Sequence, residues 1–240
     1  RSRAMRDCMA MVGTWATAVV GRPQNPVPPA TVAAPPAGQS PQSQSPGAPP
    51  QQPPPFVHCA NQTLRQIVQT SIGGPRVRVV VSNAFGTAPL LIGAAHIALR
   101  DRDATIVPSS GRALSFGGRS TTAIPAGAMI FSDPADLTVP ATADLAVDLY
   151  LPGDTNTSSP LTMHNSALQT SYVSESGNHA GKTAFPVAST TQSWFLLSRV
   201  EVIAPERVGA VVTLGASLTD GSRSTPDTNS RWPSQLAKRL

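Results

Sequence analysis

Gly209-Ala210-Val211-Val212-Thr213-Leu214-Gly215-Ala216-Ser217-Leu218-Thr219-Asp220-Gly221 is the stretch on which the fold reading turns. Its first six residues form a continuous apolar run, as in a strand buried on both faces of a parallel sheet. A turn of small residues then presents Ser217. A polar loop follows to Pro233, a residue tolerated in the first turn of a helix. Trp232, Leu236 and Leu240 fall at i, i+4 and i+8, the spacing of an inward helical stripe. Strand, tight turn and helix are the opening unit of an α/β layer.

Upstream of this unit the pattern is β. Val77, Val79 and Val81 alternate with Arg76, Arg78 and Val80, which predicts a half-buried strand. Further strands are expected over residues 90–99, 113–116, 128–132, 145–151, 168–173 and 194–203. Within 145–151, Leu145, Val147, Leu149 and Leu151 share one face, and Asp148 and Tyr150 take the other. Gly, Pro, Ser and Asp clusters separate these runs, the spacing of a sandwich or jelly-roll sheet pair. About half of the chain's 25 prolines lie between Arg22 and Pro55, among Gln, Ser and Ala. That composition buries too little apolar surface to offset its ordering entropy, and predicts a disordered linker.

The expected division is therefore an N-terminal segment over 1–21, a proline-rich linker over 22–55, a β-rich domain over 56–205, and the start of an α/β domain over 206–240. Residues 1–21 admit two readings. Arg1, Arg3 and Arg6 before the apolar residues 8–20 fit a signal remnant, whereas Asp7 and Gly13-Thr14-Trp15 fit a mature strand.

Composition excludes several classes. Charged residues are 13% of the 240, too few for a helical bundle with charged outer faces. The net charge of +5 is scattered rather than clustered, and aromatics are 5%, so neither a phosphate track nor a base-stacking platform is expected. No nucleic-acid partner is assigned. No apolar run reaches the roughly 18 residues of a membrane span. The two cysteines, Cys8 and Cys59, could pair or stay free thiols. Neither has a histidine at zinc-ligand spacing. Asp101, Asp103, Asp133 and Asp136 lack the twelve-residue spacing of a calcium loop with a terminal Glu. No metal or organic cofactor is assigned.

Ser217 is the candidate nucleophile. A serine hydroxyl needs a base to take its proton and donors to hold the oxyanion. A tight turn after a buried strand exposes that hydroxyl at the carboxyl edge of a sheet, beside the free N–H groups of a helix start. Thr219 stands where an α/β-hydrolase elbow has its second Gly, so the turn is not G-x-S-x-G. His164 and His179, flanking the 168–173 run, are expected to make ordinary loop contacts. Asp220 and Asp227 are expected to cap turns locally. Trp15, Trp194 and Trp232 are expected to pack rather than stack sugars.

The stretch Val211 to Gly221, followed by Ser224-Thr225-Pro226-Asp227-Thr228-Asn229-Ser230-Arg231-Trp232-Pro233 and Leu236-Ala237-Lys238-Arg239-Leu240, resembles the first block of the SGNH/GDSL hydrolases. It is most similar to the bacterial extracellular branch with an upstream β-rich domain. Thr63-Leu64-Arg65-Gln66, Arg78 through Asn83-Ala84-Phe85-Gly86-Thr87, Ile124-Pro125-Ala126-Gly127, Ser132-Asp133-Pro134, Leu149-Tyr150-Leu151-Pro152, Gln169-Thr170-Ser171-Tyr172 and Gly13-Thr14-Trp15-Ala16 resemble that upstream part, in order. The last of these favours a mature strand.

The resemblance implies a flavodoxin-like α/β/α domain after a mainly β sandwich or jelly-roll-like domain. It implies a secreted or periplasmic esterase whose Ser217 forms an acyl-enzyme with a carboxylic ester, in acetylated polysaccharide or lipid, without metal or cofactor. It implies that the Ser217 N–H helps hold the oxyanion. The family's other oxyanion donors, a downstream Gly and Asn, and its base, from a late D-x-x-H, have no counterpart within these 240 residues, whose four histidines all precede Ser217. Residues 1–240 are expected to be inactive alone. The family carries Asp before its serine, where this chain has Ala216. The alternative reading is a non-catalytic β-sandwich that binds carbohydrate or docks a partner.

Overall fold

The computed structural model describes residues 9–22 and 58–240. The expected linker, Arg22 apart, and Cys8 lie outside the described residues. β1 (Met9–Ala16) and β2 (Val20–Arg22) precede β3 (Ala60–Gln69), β4 (Val77–Ser82), β5 (Leu90–Ile92) and β6 (Ala94–Leu99). Next come β7 (Arg112–Leu114), β8 (Thr122–Ile124), β9 (Met129–Phe131) and the long β10 (Asp144–Asp154). β11 (Leu161–His164), β12 (Ser171–Ser176), β13 (Val187–Thr191), β14 (Trp194–Phe195) and β15 (Leu197–Pro205) follow. Two short helices come last, α1 (Ser217–Asp220) and α2 (Trp232–Ala237).

The protein is mostly β. One sheet has the order β1-β15-β4-β9 and another the order β13-β12-β3-β10-β6-β7, with smaller sheets β14-β11-β2 and β5-β8. The pairings within them are antiparallel. Between the two larger sheets lies the main core. Val77, Val79 and Val81 of β4 and Val200 and Val202 of β15 meet Leu64 and Val68 of β3 and Leu145, Val147 and Leu149 of β10. Each fully buried side chain of this size contributes about 1.5–3 kcal/mol of hydrophobic stabilisation. A second cluster, including Ile67, Ala146, Tyr172 and Phe185, covers the far face of the six-stranded sheet.

The valine run of β4 is buried on both sides, since Val80 is as buried as its neighbours. The expected strand over 90–99 is two strands in different sheets. They divide at Gly93, where an added Cβ would lie 2.7 Å from the Tyr150 ring. The strand expected from Leu168 begins at Ser171 instead, because Leu168 takes the left-handed conformation at φ 50°.

Side-chain hydrogen bonds close several turns and strand ends. Asn83 Nδ2 donates to the carbonyls of Ala88 at 2.9 Å and Ile124 at 3.1 Å, closing the turn after β4. Ser132 Oγ accepts from the Val79 N–H at 3.0 Å. Asp133 accepts from Ser115 Oγ at 2.6 Å and from the N–H of Gly118 at 2.8 Å. These bonds, the Ser115 one first, hold its carboxyl below the usual carboxylate range. Several of the upstream stretches singled out in the sequence thus shape turns and strand ends. No helix among the described residues is long and apolar enough to cross a membrane.

Cys59 is a buried free thiol, and burial pushes its pKa from 9.0 up to about 12. The unfolded chain releases this proton first, so stability from the thiol is full below pH 9.0 and is lost as pH rises toward about 12. The expected slope is on the order of 1 kcal/mol per pH unit above the unfolded pKa. Urea midpoints measured at successive alkaline pH values should fall more steeply for the native protein than for Cys59→Ala. Parallel curves would contradict this.

Candidate functional site

After β15 the chain leaves the sheets. Residues 209–214 form no strand, and Val211, Val212 and Leu214 are 72%, 87% and 97% exposed. This corrects the expectation of a strand buried on both faces. Such a strand needs a hydrogen-bonded neighbour on each side, and none of the described strands pairs with this run. The helical stripe is corrected as well. α2 has six residues, Trp232 is 46% exposed and Leu240 is 88% exposed, so that stripe faces no layer.

The turn between them is ordered by specific contacts. Ser217 is the first residue of α1, with Ala216 as its N-cap. The N–H groups of Thr219 and Asp220 donate to the Ala216 carbonyl at 2.9 and 3.1 Å. The N–H of Gly221 and of Ser222 donate to the Ser217 carbonyl. Gly221 sits at φ 97°, and a Cβ there would lie 2.5 Å from Arg231 Cγ, so glycine is required on both counts. Ser217 is exposed. Its hydroxyl has no hydrogen-bond partner among the described residues. Of the four N–H groups of α1, those of Thr219 and Asp220 go to the Ala216 carbonyl, and only those of Ser217 and Leu218 remain open to a ligand oxygen.

Ala216 supplies no side-chain acceptor to this helix start. Asp and Ala differ by about 0.5–2 kcal/mol at an N-cap. Ala216→Asp is therefore expected to slow amide exchange at Leu218 and Thr219 by several-fold. Unchanged exchange at both would refute it.

The two aspartates of the region do more than cap local turns. Asp220 Oδ1 meets His164 Nε2 at 2.8 Å. Asp227 Oδ1 accepts from Gln169 Nε2 at 2.7 Å and from the Thr170 N–H at 2.6 Å, and Oδ2 accepts from Thr170 Oγ1 at 2.6 Å. Asn229 Nδ2 donates to Asp144 Oδ1 at 3.0 Å. The Arg231 guanidinium lies 5.0 Å over the Trp194 ring. Burial pushes its pKa down, and the Asp220 charge opposes that shift. Trp194 in turn packs edge-on against Trp15 at 4.8 Å. Trp15 and Trp194 are packing residues, whereas the Trp232 indole N–H reaches Thr219 Oγ1 at 3.3 Å.

No histidine is bonded to Ser217. His164 Nδ1 donates to the Ala18 carbonyl at 2.7 Å and Nε2 faces Asp220. His179 Nε2 pairs with the Ser176 carbonyl at 3.1 Å, and His58 Nδ1 with Asn156 Nδ2 at 2.9 Å. His96 is enclosed beside Asp148, 3.9 Å away, and burial lowers its pKa. No three His, Cys, Asp or Glu side chains converge on one point among the described residues.

A cavity of about 720 Å³ is lined by none of the residues of the serine turn. Met163, Leu168, Val173 and Phe195 give it an apolar lining. Gln62, Thr190 and Gln192 add uncharged polar groups, and Arg22 and His58 add basic ones. No carboxylate lines it.

The chain matches no protein-family model and none of the curated proteins.

Proposed function

We propose that Ser217 is the nucleophile of an SGNH/GDSL-type serine ester hydrolase acting on carboxylic esters, with acetylated polysaccharide or a lipid ester as substrate class. The observation that carries this reading is the form of the turn. Ser217 is exposed at the start of α1, its hydroxyl uncommitted, on a loop fixed to the β-rich body by Asp220, Asp227, Asn229 and Arg231. Attack by Ser217 Oγ on the ester carbonyl would form the tetrahedral intermediate, whose oxyanion the Ser217 N–H helps hold. Loss of the alcohol then leaves the acyl-enzyme, which water cleaves. The proton of Ser217 needs an acceptor that the described histidines do not supply, and the resemblance assigns that role to a downstream D-x-x-H.

The test is hydrolysis of an activated acetyl ester by a form extended after residue 240 with the family-type Gly, Asn and D-x-x-H positions, next to its Ser217→Ala variant. Turnover that disappears in the variant is expected, and equal rates would overturn the proposal. Residues 1–240 alone are expected to be inert.

The cavity favours a second reading, a module that binds a polar ligand such as a glycan. Retention on a polysaccharide column, unaffected by Ser217→Ala and weakened by Gln62→Ala, would support it. Passage without retention on every glycan tried would count against it.

A further inference from the structure

The groups that hold the serine turn come from far away in the chain, and one of them joins three segments. His164 ends β11. Its Nδ1 meets the Ala18 carbonyl, in the link between β1 and β2, at 2.7 Å, and its Nε2 meets Asp220, 56 positions later, at 2.8 Å. The ring also stacks on Trp194 at 5.7 Å, the indole over which Arg231 lies. Asp220 is the last residue of α1, and its own N–H donates to the carbonyl of Ala216, the residue before the serine. One helical turn therefore separates the His164 contact from the nucleophile.

We infer that His164 is a positioning residue for Ser217, fixing the nucleophile turn through Asp220; this rests on the reading of Ser217 as nucleophile. The hydrogen-bond pattern separates positioning from base catalysis. A carbonyl oxygen can only accept, so Nδ1 carries a hydrogen. The carboxylate of Asp220 accepts in the same way from Nε2–H. With both nitrogens engaged as donors, no lone pair remains for the serine proton. The Arg231 guanidinium, stacked on the Trp194 face, is the other charge that acts on Asp220, through space and without a direct ion pair. Asp227 on Thr170 and Gln169, and Asn229 on Asp144, secure the following loop and leave the Asp220 contact as the anchor to the β-rich body nearest Ser217, the Trp232 contact on Thr219 coming from the C-terminal segment itself.

The experiment uses residues 1–240 and the variants His164→Gln, Asp220→Asn and Asp220→Glu. Amide exchange is read at Thr219, Asp220 and Ser222, with Val79 and Val200 as core references, and the nitrogen resonances of the His164 ring are read alongside. A hydrogen bond to a charged group is strong enough that its loss should speed exchange at the three turn amides by about tenfold or more. This is expected in His164→Gln and Asp220→Asn with the core references unchanged, and Asp220→Glu, which keeps the carboxylate, should recover part of the protection. Both ring nitrogens of His164 should carry hydrogen in the native protein. Unchanged turn exchange in Asp220→Asn, or a bare ring nitrogen in the native protein, overturns the inference. Asp220 is 39% exposed, so Asp220→Asn remains decisive if His164→Gln fails to fold. In the extended hydrolytic form the same variants should lower kcat with KM nearly unchanged. Absent hydrolysis there would remove the nucleophile reading while the exchange result still decides whether His164 holds the turn.

Discussion

Asp148→Asn is expected to destabilise the β-rich body by about 3–5 kcal/mol, the usual loss when one partner of a buried ion pair is removed. Arg65 of β3 and Asp148 of β10 are 0% and 1% exposed. They stand opposite each other in register and form a bidentate pair, Nε to Oδ1 and Nη2 to Oδ2, both at 2.7 Å. Two further guanidinium hydrogens go to the carbonyls of Ala104 at 2.6 Å and Lys182 at 2.8 Å. The Phe185 ring lies 4.4 Å from the guanidinium carbon. The Gly181 N–H adds a third contact to the carboxylate at 2.8 Å. Asn preserves the shape of the side chain, so the loss isolates the charge. Arg65 would then be a buried cation facing neutral groups. Urea unfolding followed by circular dichroism measures the change, and a loss below about 1 kcal/mol would show that the pair is not desolvated as described. Replacing both partners together with Arg65→Met and Asp148→Leu should recover much of the loss, because the desolvation of two charges disappears with their attraction. Added salt should alter the single-variant effect little, since the pair is shielded from mobile ions.

That pair also explains what the sequence could and could not reveal. β10 is legible because Leu145, Val147, Leu149 and Leu151 alternate cleanly and all face the main core. β3, the strand beside it, escaped the reading of hydrophobic alternation. Thr63, Arg65 and Gln66 interrupt its apolar pattern, yet all three are fully buried. Their partners lie far along the chain: Arg65 meets Asp148 across 83 positions, and Gln66 Oε1 accepts from the Phe195 N–H across 129. A local window cannot see such compensation. The opposite error occurred at 209–214, where an apolar run reads as a buried strand although burial depends on neighbours that the run itself does not encode. At the serine turn, a turn of small residues presenting Ser217 was readable from the sequence, but the short helix α1 that Ser217 begins was not, since a helix was expected only from about Pro233. Nor was the anchoring of the turn. Asp220 and Asp227 read as local turn caps, and His164 as an ordinary loop histidine, because their partners are 56 and 57 positions distant.

Trp194→Ala should combine a core loss with release of the serine turn. The side chain is 3% exposed and sits where the sheets and the C-terminal segment meet. Trp15 packs edge-on against it, His164 stacks at 5.7 Å and Arg231 lies at 5.0 Å, while its indole N–H donates to the Ile67 carbonyl at 2.8 Å. Truncating a buried Trp to Ala costs about 3–5 kcal/mol through lost transfer energy and the cavity left behind. It also orphans a carbonyl in the six-stranded sheet and removes the ring that orients both Arg231 and His164. Two transitions should therefore separate. Amides of Thr219, Asp220 and Ser222 should lose protection even under conditions where Val79 and Val200 remain protected, because the turn depends on Trp194 while the β4–β15 pairing does not. Trp194→Phe divides the causes. It keeps an aromatic face for Arg231 and His164 but leaves the Ile67 carbonyl unpaired, so it should cost about 1–3 kcal/mol and retain most of the turn's protection. If Trp194→Phe exposed the turn as fully as Trp194→Ala, the indole hydrogen bond rather than the ring stack would be what couples the β-rich body to Ser217.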